Sequence, residues 1–311
     1  MEKYGFGVDI GGTTCKIGLF EMDGTIVEKW EIKTNTENAG AAILGDVAAS
    51  VLAKMEERGI ARDDVRGIGL GVPGPVDGEG VVHKCANLGW GIVNAEEELS
   101  AKTGMYVKAA NDANVAALGE MWQGGGKGHK DVVVVTLGTG VGGGIIIDGK
   151  IVAGSHGAGG EIGHMHVNNE EEDVCGCGQK GCLEQYASAT GIVRMAKKKI
   201  AADSRETILT SFENLTAKDI FDSAKQHDQV AKELVDMLCE MLGKAMATIA
   251  VVADPEVFVI GGGVSRAGVI LTEGIGRYYK ENAFHACRDA EVALATLGND
   301  AGMYGCVRLL F

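Results

Sequence analysis

The sequence contains only three prolines among its 311 residues, although glycine supplies 48. This scarcity excludes a disordered, low-complexity chain, so the glycines indicate tight backbone turns. Basic residues are also few, since 29 lysines and arginines face 43 aspartates and glutamates and leave a formal charge of -14. A broad basic surface for nucleic acid is therefore not expected, and any phosphate site must be local.

Long hydrophobic runs are absent as well. No segment reaches the roughly 18 uncharged apolar residues that a membrane-spanning helix needs, and the chain does not open with a basic segment followed by an apolar one. We therefore expect a cytoplasmic protein with no membrane partner. With 46% hydrophobic residues the chain can bury a substantial core, and its length fits two lobes.

The start of the chain has the alternation of β-strands. Residues 4–10, 16–20 and 26–32 predict an antiparallel meander. A helix over residues 39–58, which ends at a glycine, and a buried strand over residues 67–72 follow. The β-β-β-α-β order indicates an α/β fold.

A similar pattern returns in the second half of the chain. Strands are predicted over residues 132–137 and 145–148, with a glycine turn between them. Residues 230–252 are too densely apolar for a solvated helix, so we expect a long helix that lies against a sheet. A terminal helix over residues 301–310 is expected to return to the first lobe.

The first glycine turn follows a carboxylate at a strand end. After Asp9 come two glycines and two hydroxyl residues, namely Gly11, Gly12, Thr13 and Thr14. Backbone N–H groups and hydroxyls in such a turn can bind a phosphate, and Asp9 could reach Mg²⁺ through water. An ordinary glycine hairpin explains this motif, taken alone, about equally well.

The second glycine turn contains Gly138, Thr139 and Gly140. With Gly143 these glycines resemble a dinucleotide fingerprint, but residues 145–149 continue as strand and turn where a Rossmann fold requires a helix. No glycine-rich segment ends in Gly-Lys-Ser/Thr, so a P-loop is not expected either. Two matched turns fit one phosphate tail held between two lobes.

A third glycine turn follows a buried strand and precedes a helix. Its small residues Gly262 and Gly263 could let the adenine and ribose of a nucleotide approach the backbone closely. A single glycine turn of this kind has little specificity of its own.

Three cysteines fall within eight residues and indicate a metal site. With His164 they form a normal tetrahedral zinc set, and we expect a closed structural site made of His164, Cys175, Cys177 and Cys182. Cys175 and Cys177 are only two residues apart, so a redox pair or unrelated thiols remain alternatives. His166 is a rival ligand, although it should point to the other side of an extended segment.

The remaining cysteines are scattered and do not suggest a secreted disulfide framework. They are expected to be small buried thiols: Cys15, Cys85, Cys239, Cys287 and Cys306.

Four polar residues outside the turns are candidates for the chemistry. Asn111 and Asp112 follow a predicted strand and begin a helix, so helix capping would explain them. Alternatively, Asp112 could accept a proton from a hydroxyl that attacks phosphorus, while Asn111 positions that hydroxyl. Glu161 and Glu184 flank the cysteine cluster, where zinc could set both carboxylates toward one pocket.

Together these motifs resemble the ROK family (repressors, open reading frames and sugar kinases), and most closely its bacterial glucokinases, across essentially the whole chain. The resemblance lies in Asp9-Ile-Gly-Gly-Thr, Pro73-Gly-Pro-Val-Asp77, Asn111-Asp-Ala-Asn114, Gly138-Thr-Gly140, Glu161-Ile-Gly-His164 and Cys175-Gly-Cys177-Gly-X-X-Gly-Cys182-Leu-Glu184. It implies an actin-like ATPase (ribonuclease H-like) fold with two α/β lobes and an interlobe cleft where ATP and sugar meet. We expect a smaller lobe from residues 1–115 plus about 298–311, and a larger lobe with the zinc-binding loop from residues 116–297.

The resemblance also implies roles for individual residues. It makes Asp112 the general base and His164 and the three clustered cysteines the zinc ligands. It implies that the sugar is bound by seven residues: Gly74, Asn87, Asn111, Asp112, Glu161, His164 and Glu184. It implies Mg²⁺-assisted transfer of the ATP γ-phosphoryl group to a hexose, most readily the 6-hydroxyl of glucose, and a homodimer or homotetramer in glycolysis.

Several alternatives remain open at this stage. N-acetylmannosamine, N-acetylglucosamine, fructose and allose are other hexose substrates to consider. A sugar-responsive transcriptional regulator would carry an N-terminal helix-turn-helix domain, whereas here a strand begins at about residue 4. A zinc-binding protein without catalysis would leave Asp9, Asn111 and Asp112 without a shared task.

Overall fold

The structure is a computed structural model that describes residues 2–311. Its strands are β1 (Tyr4–Ile10), β2 (Thr14–Glu21), β3 (Ile26–Lys33), β4 (Val65–Val72), β5 (Val81–Val82), β6 (Val93–Asn94), β7 (Val107–Asn111), β8 (Val132–Leu137), β9 (Val141–Ile147), β10 (Lys150–Ile151), β11 (Val257–Gly261) and β12 (Glu291–Leu294). Its α-helices are α1 (Glu37–Gly40), α2 (Ile43–Arg58), α3 (Ala95–Thr103), α4 (Asp112–Gln123), α5 (Glu184–Ala187), α6 (Ala189–Ala202), α7 (Ala217–Lys225), α8 (Gln229–Ala253), α9 (Val269–Asn282) and α10 (Ala301–Arg308).

The first sheet has the strand order β3-β2-β1-β4-β7. The antiparallel pairs β1–β2 and β2–β3 confirm the predicted meander, and β4 and β7 add parallel strands on the other side of β1. The edge strand β3 alternates between half-buried and exposed residues, whereas β4 is buried almost throughout. The sheet therefore places the carboxyl ends of β1, β4 and β7 at one edge.

The predicted helix over residues 39–58 begins later than expected. Its regular part is α2, and the preceding Asn38 and Ala39 have positive φ angles of 51° and 58°. The indole Nε1 of Trp90 donates a hydrogen bond to the Gly40 carbonyl at 3.0 Å, so this segment is held by a distant side chain. The end of the helix is confirmed, because Gly59 adopts the left-handed conformation that stops a helix.

The second sheet has the strand order β10-β9-β8-β11-β12, with β8, β11 and β12 parallel. The long helix predicted over residues 230–252 is confirmed as α8, whose packing is on α7 and α9, while its expected contact with a sheet stays a prediction. Neither α8 nor any other helix within residues 2–311 has the length and apolar character needed to cross a membrane.

The chain forms two compact units. Unit 1 comprises Met1–Gly128, Gly144–Gly160 and Leu297–Phe311, and unit 2 comprises His129–Gly143 and Glu161–Thr296. In unit 1 the terminal helix α10 packs closely on α4, because the backbones approach at Gly119 and Gly305 so nearly that neither position has room for a side chain. This packing keeps all of α4 in unit 1, so the unit extends past the predicted lobe boundary at residue 115.

The scattered cysteines are buried, as predicted. Cys306 on α10 illustrates the pattern, since its thiol donates to the Val8 carbonyl at 3.2 Å and burial raises its pKa well above the ordinary value. Such thiols are protonated and poorly reactive.

Candidate functional site

The first glycine turn joins β1 to β2. The Gly11 amide donates to the Thr14 carbonyl at 2.9 Å and closes the turn, while Gly12 and Thr13 are exposed at its tip. The four residues predicted to bind phosphate therefore lie in one tight turn. Its exposed backbone and hydroxyls are accessible to an anion, and the predicted phosphate binding stays a prediction.

Asp9 lies near the end of β1, opposite Lys16 on β2 and Gly71 on β4. Burial raises the pKa of Asp9, the charge of Lys16 opposes that rise, and the charge of Asp112 adds to it. Asp9 near the end of β1 and Asp112 just after β7 belong to the same edge of the first sheet, where β4 lies between their strands, so their like charges disfavour each other. A bound cation would relieve that repulsion.

Asn111 and Asp112 stand where β7 passes into α4. The Asn111 side-chain oxygen accepts hydrogen bonds from the amides of Ala113 and Asn114 at 3.0 and 3.2 Å, so Asn111 is the helix cap. Asp112 is the first helix residue, and one of its oxygens accepts from the Ala113 amide at 2.8 Å. Capping therefore accounts for Asn111, and Asp112 is a half-buried carboxylate whose charge raises the pKa of Asp9.

Two further predicted sugar contacts lie in unit 1. The Asn111 amide nitrogen donates to the Gly74 carbonyl at 3.1 Å, which ties the loop after β4 to the end of β7. Asn87 is exposed, and a side chain at Gly12 would lie 3.8 Å from its carbonyl oxygen. Unit 1 thus brings the predicted sugar contacts Gly74, Asn87 and Asn111 to the same edge of the sheet as the first turn.

The second glycine turn joins β8 to β9 in unit 2. Because β9 is a strand, the turn differs from a Rossmann fingerprint, as the sequence predicted. The Gly138 amide donates to the Gly140 carbonyl at 2.9 Å, and the Val141 amide donates to the Glu184 carboxylate at 3.0 Å. Glu184 therefore helps to hold the turn in shape.

Glu184 also lies next to the cysteine cluster. Its other carboxylate oxygen is 3.8 Å from the Cys175 sulfur, and a side chain at Gly140 would collide with the carboxylate. Glu161 is exposed and its carbonyl accepts from the His164 amide at 3.1 Å. Both predicted carboxylates of unit 2 thus flank the cluster, and Glu184 connects it to the glycine turn.

The structure brings the predicted zinc ligands together. The ligand atoms of His164, Cys175, Cys177 and Cys182 all lie within 4.8 Å of one another. The Cys177 and Cys182 sulfurs are 3.6 Å apart, and Cys175 Sγ is 3.9 Å from His164 Nδ1. Tetrahedral zinc with ordinary bond lengths places its ligand atoms about 3.5 to 3.8 Å apart, so this donor set fits zinc.

The electrostatics of the thiols agree with a site for a cation. Burial raises the pKa of Cys182, and the neighbouring thiols of Cys177 and Cys175 raise it further. The Gln179 amide lowers the pKa of Cys177. Three thiolates so close together need a positive charge among them, which a metal would supply.

His166 lies apart from the donor set. One ring nitrogen is 2.9 Å from the Lys180 carbonyl and the other is 2.7 Å from the Asn169 side-chain oxygen, so both nitrogens already have partners. His164 is therefore the imidazole that the fold brings to the three sulfurs.

The third turn adjoins a cavity. Gly262 has a φ angle of 81°, and Gly263 lines a cavity of about 390 Å³ together with Ala189 and Thr216. A second cavity of about 510 Å³ shares those two residues and also reaches Thr139 of the second turn. The adjoining cavities thus connect the second and third glycine turns within unit 2.

Sequence reasoning missed the residues between these turns. Thr216 caps α7 through a reciprocal bond with Asp219, a pattern that marks a helix start in the sequence. Nothing in that pattern indicates that the helix start lines a cavity. The hydroxyl of Thr190, which donates to the Thr139 carbonyl at 2.6 Å, was likewise not foreseen.

Comparison with known proteins agrees with these features. A family model described as the ROK family matches residues 5–310. A glucokinase from Halalkalibacterium halodurans is 42% identical over 309 residues, which cover 98% of this chain and 94% of the relative. A solved ROK family glucokinase from Streptomyces griseus, in complex with glucose and AMPPNP, is 34% identical with a TM-score of 0.70 and coverage of 98% of both chains. A solved ROK hexokinase from Thermus thermophilus is 28% identical with a TM-score of 0.80, covering 98% of this chain and 97% of the other.

Proposed function

The chain belongs to the ROK family and has the actin-like ATPase fold, and we propose that it is a glucokinase that transfers the ATP γ-phosphoryl group to the 6-hydroxyl of glucose. The observation that carries the proposal within the molecule is the position of Asp112. Asn111 supplies the helix cap, and Asp112, the first residue of α4, is a half-buried carboxylate at the carboxyl end of β7. The same edge of the sheet carries Asp9, the first glycine turn and the Asn111–Gly74 contact.

The acceptor chemistry belongs to Asp112 in this proposal. Its carboxylate accepts the proton of the 6-hydroxyl as the oxygen attacks phosphorus, which is general-base catalysis. Asn111 orients the same hydroxyl, and Gly74 and Asn87 contact the rest of the sugar. In unit 2, Glu161, His164 and Glu184 are the proposed partners of further sugar hydroxyls. Partners of this kind discriminate between sugars, since each polar group left unmatched is costly.

The donor chemistry belongs to the glycine turns. Backbone N–H groups at the first two turns stabilise charge on the phosphates, and the cavities at the third turn accept adenine and ribose. A bound Mg²⁺ would supply the positive charge that neutralises the phosphates. Asp9 is its proposed protein partner, acting through water, which accords with a carboxylate that burial and Asp112 make costly to ionise alone.

A structural Zn²⁺ is the proposed occupant of the site formed by His164, Cys175, Cys177 and Cys182. Held by these four residues, it would fix the loop before α5, from which Glu161 and Glu184 are presented. Because Glu184 accepts from the Val141 amide, the same loop also supports the second glycine turn. A cytoplasmic location, a place in glycolysis, and a homodimer or homotetramer complete the proposal.

A hexose panel tests the proposal. Purified enzyme with ATP and Mg²⁺ is assayed for ADP release with glucose, N-acetylmannosamine, N-acetylglucosamine, fructose and allose. We expect glucose to have the highest kcat/KM, by at least about tenfold, because each mismatched hydroxyl leaves a polar group of the site unpaired. A higher kcat/KM for another hexose would reassign the substrate, and ADP release independent of every sugar would contradict the kinase assignment.

A further inference from the structure

Thr34 lies directly behind the first glycine turn. It follows the last residue of β3, and only 4% of its surface is exposed. Its hydroxyl lies 3.4 Å from the buried Cys15 sulfur. Thr34 therefore faces the turn from the interior of unit 1, where it is shielded from solvent.

Two hydrogen bonds connect Thr34 to the turn. Its hydroxyl donates to the Gly11 carbonyl at 2.7 Å, and its amide donates to the Thr13 carbonyl at 2.9 Å. Two carbonyls of the turn are thus directed toward the protein interior by one residue. The hydroxyl bond is the part of this arrangement that depends on the side chain.

The orientation of the Gly11 carbonyl determines the orientation of the next amide. In a planar trans peptide the C=O and N–H groups point in opposite directions, and no peptide bond within residues 2–311 is cis. Because the Gly11 carbonyl faces the buried Thr34, the Gly12 N–H faces away from it. Gly12 is exposed at the tip of the turn, so this N–H points to the side on which an anion can approach.

The second turn is held by a similar arrangement in unit 2. The Thr190 hydroxyl donates to the Thr139 carbonyl at 2.6 Å, and the Ala189 amide donates to the Gly138 carbonyl at 2.8 Å. Here the threonine comes from the start of α6 instead of a strand end. In each glycine turn, therefore, the hydroxyl of a threonine outside the turn binds a backbone carbonyl of the turn and directs that carbonyl away from the tip.

We propose that Thr34 is a positioning residue of the phosphate site, whose hydroxyl holds the Gly11–Gly12 peptide with its N–H directed at the nucleotide phosphates. The proposal rests on the proposed use of ATP. Thr34 itself is buried behind the turn and does not touch substrate. Its loss should therefore weaken nucleotide binding and leave glucose binding unchanged.

The test replaces Thr34 by valine, which keeps the branched shape and removes the hydroxyl. We expect Thr34→Val to raise both the Kd of ATP·Mg²⁺, measured by calorimetry, and the KM for ATP by roughly three- to tenfold, the loss of about one hydrogen bond. The KM for glucose should stay within about twofold. Thr34→Ser keeps the hydroxyl and should restore the wild-type Kd.

A matched control exists in the same unit. Thr103 is 1% exposed, and its hydroxyl donates to the Leu99 carbonyl at 2.8 Å in the last turn of α3. The Thr103 hydroxyl also accepts from the Met105 amide at 3.3 Å, so Thr103→Val removes a buried hydroxyl with two partners, as Thr34→Val does, but away from the glycine turns. It should lower the melting temperature about as much as Thr34→Val and leave the Kd of ATP·Mg²⁺ unchanged.

The outcomes separate the inference from the proposed function. Equal ATP affinities for Thr34→Val and Thr103→Val would overturn the role of Thr34, and so would a Thr34→Ser protein that binds ATP as weakly as the valine variant. If Thr34→Val does not fold, Thr34→Ala takes its place in the same comparison. If the wild type binds ATP without phosphorylating glucose, the glucokinase proposal fails while the affinity comparison still decides the role of Thr34.

Discussion

Individual residues show where local sequence is ambiguous. The local sequence of Asn111-Asp112 favours helix capping, whereas the resemblance of the whole chain implies a catalytic role for Asp112. The structure separates the two residues, because Asn111 has the extended backbone of a cap, with φ of -59° and ψ of 144°, and Asp112 is already helical. Which of two adjacent polar residues caps a helix depends on a single backbone transition, and that transition is not encoded in residue type alone.

Glu171 is a residue whose role sequence reasoning did not reach. It is almost fully buried, and its carboxylate accepts hydrogen bonds from the Tyr186 hydroxyl and the Arg194 guanidinium, each at 2.6 Å. Lys198 donates to it as well, at 3.3 Å. These partners follow Glu171 by 15 to 27 positions and lie on two helices, Tyr186 on α5 and the two basic residues on α6, so no local sequence spacing predicts them.

The charge of Glu171 should stabilise the fold in a pH-dependent way. The pKa of Glu171 is lowered below its ordinary value of 4.5, mainly by the hydrogen bond from the Arg194 guanidinium. The Tyr186 hydroxyl lowers it further, and burial opposes both effects. A carboxyl group whose pKa is lowered in the folded state contributes stability above its unfolded pKa and loses it as the pH falls. We expect Glu171→Gln to lower the free energy of unfolding by roughly 2–4 kcal/mol at pH 7, with the difference from wild type narrowing below about pH 4.5.

Urea denaturation at several pH values measures this difference. Glu233→Gln is the control, since Glu233 also pairs with Arg205 and Lys199 but is a third exposed. Exposed pairs contribute little, so the control should change the unfolding free energy by less than about 1 kcal/mol. A Glu171→Gln protein as stable as the control at pH 7 would show that the buried carboxylate is not a stabilising group.

At the scale of elements, prediction succeeded where the pattern is local. The meander, the end of α2 and the long helix α8 follow from alternation, a terminal glycine and apolar density. The predicted start of α2 was wrong because the Trp90 indole, 50 residues away, donates a hydrogen bond to the Gly40 carbonyl and holds the backbone before α2 in a non-helical conformation. Propensity over a short window cannot include such a contact.

In the loop that carries the three clustered cysteines, the sequence predicts the metal ligands but not the contacts of the loop with the rest of unit 2. The sequence predicted the four donors that the structure brings together. It did not predict that Glu184 accepts a hydrogen bond from Val141 of the second glycine turn. That bond joins residues 43 positions apart and is fixed by tertiary packing, so metal loss should affect the donor side as well as the sugar side.

Removing one ligand tests this connection. Cys177→Ser should lower zinc from about one ion per chain to a small fraction, and it should lower kcat/KM for glucose at least about tenfold. The KM for ATP should rise too, because the loop supports the second turn. Metal analysis and steady-state kinetics on the same preparations measure all three quantities.

The control for the metal experiment is Cys287→Ser. Cys287 is buried outside the cluster and its thiol donates to the Phe284 carbonyl at 3.4 Å, a bond that serine can keep. This variant should keep its zinc and its kinetics. Full activity of Cys177→Ser after loss of its zinc would reduce the cluster to a loop feature without influence on the site.

At the scale of the whole molecule, the joint resemblance of many motifs predicted the fold. It did not predict which segments of the chain belong to each of the two units. Two segments of unit 1, Gly144–Gly160 and Leu297–Phe311, each follow a segment of unit 2 in the sequence. No change of composition marks these crossings. The last segment joins unit 1 through the close packing of α10 on α4. This packing depends on glycines at the contact, and the sequence alone does not show that these glycines face each other.

The most direct test of the account follows the transferred phosphoryl group. Phosphorus NMR of a mixture of enzyme, ATP, Mg²⁺ and glucose identifies donor, acceptor and acceptor hydroxyl in one measurement. We predict stoichiometric ADP and glucose 6-phosphate with the wild type, and formation roughly 10²- to 10⁴-fold slower with Asp112→Asn, which should still bind glucose. A phosphate ester at another hydroxyl, loss of ATP without a sugar phosphate, or a near-normal rate with Asp112→Asn would contradict the account.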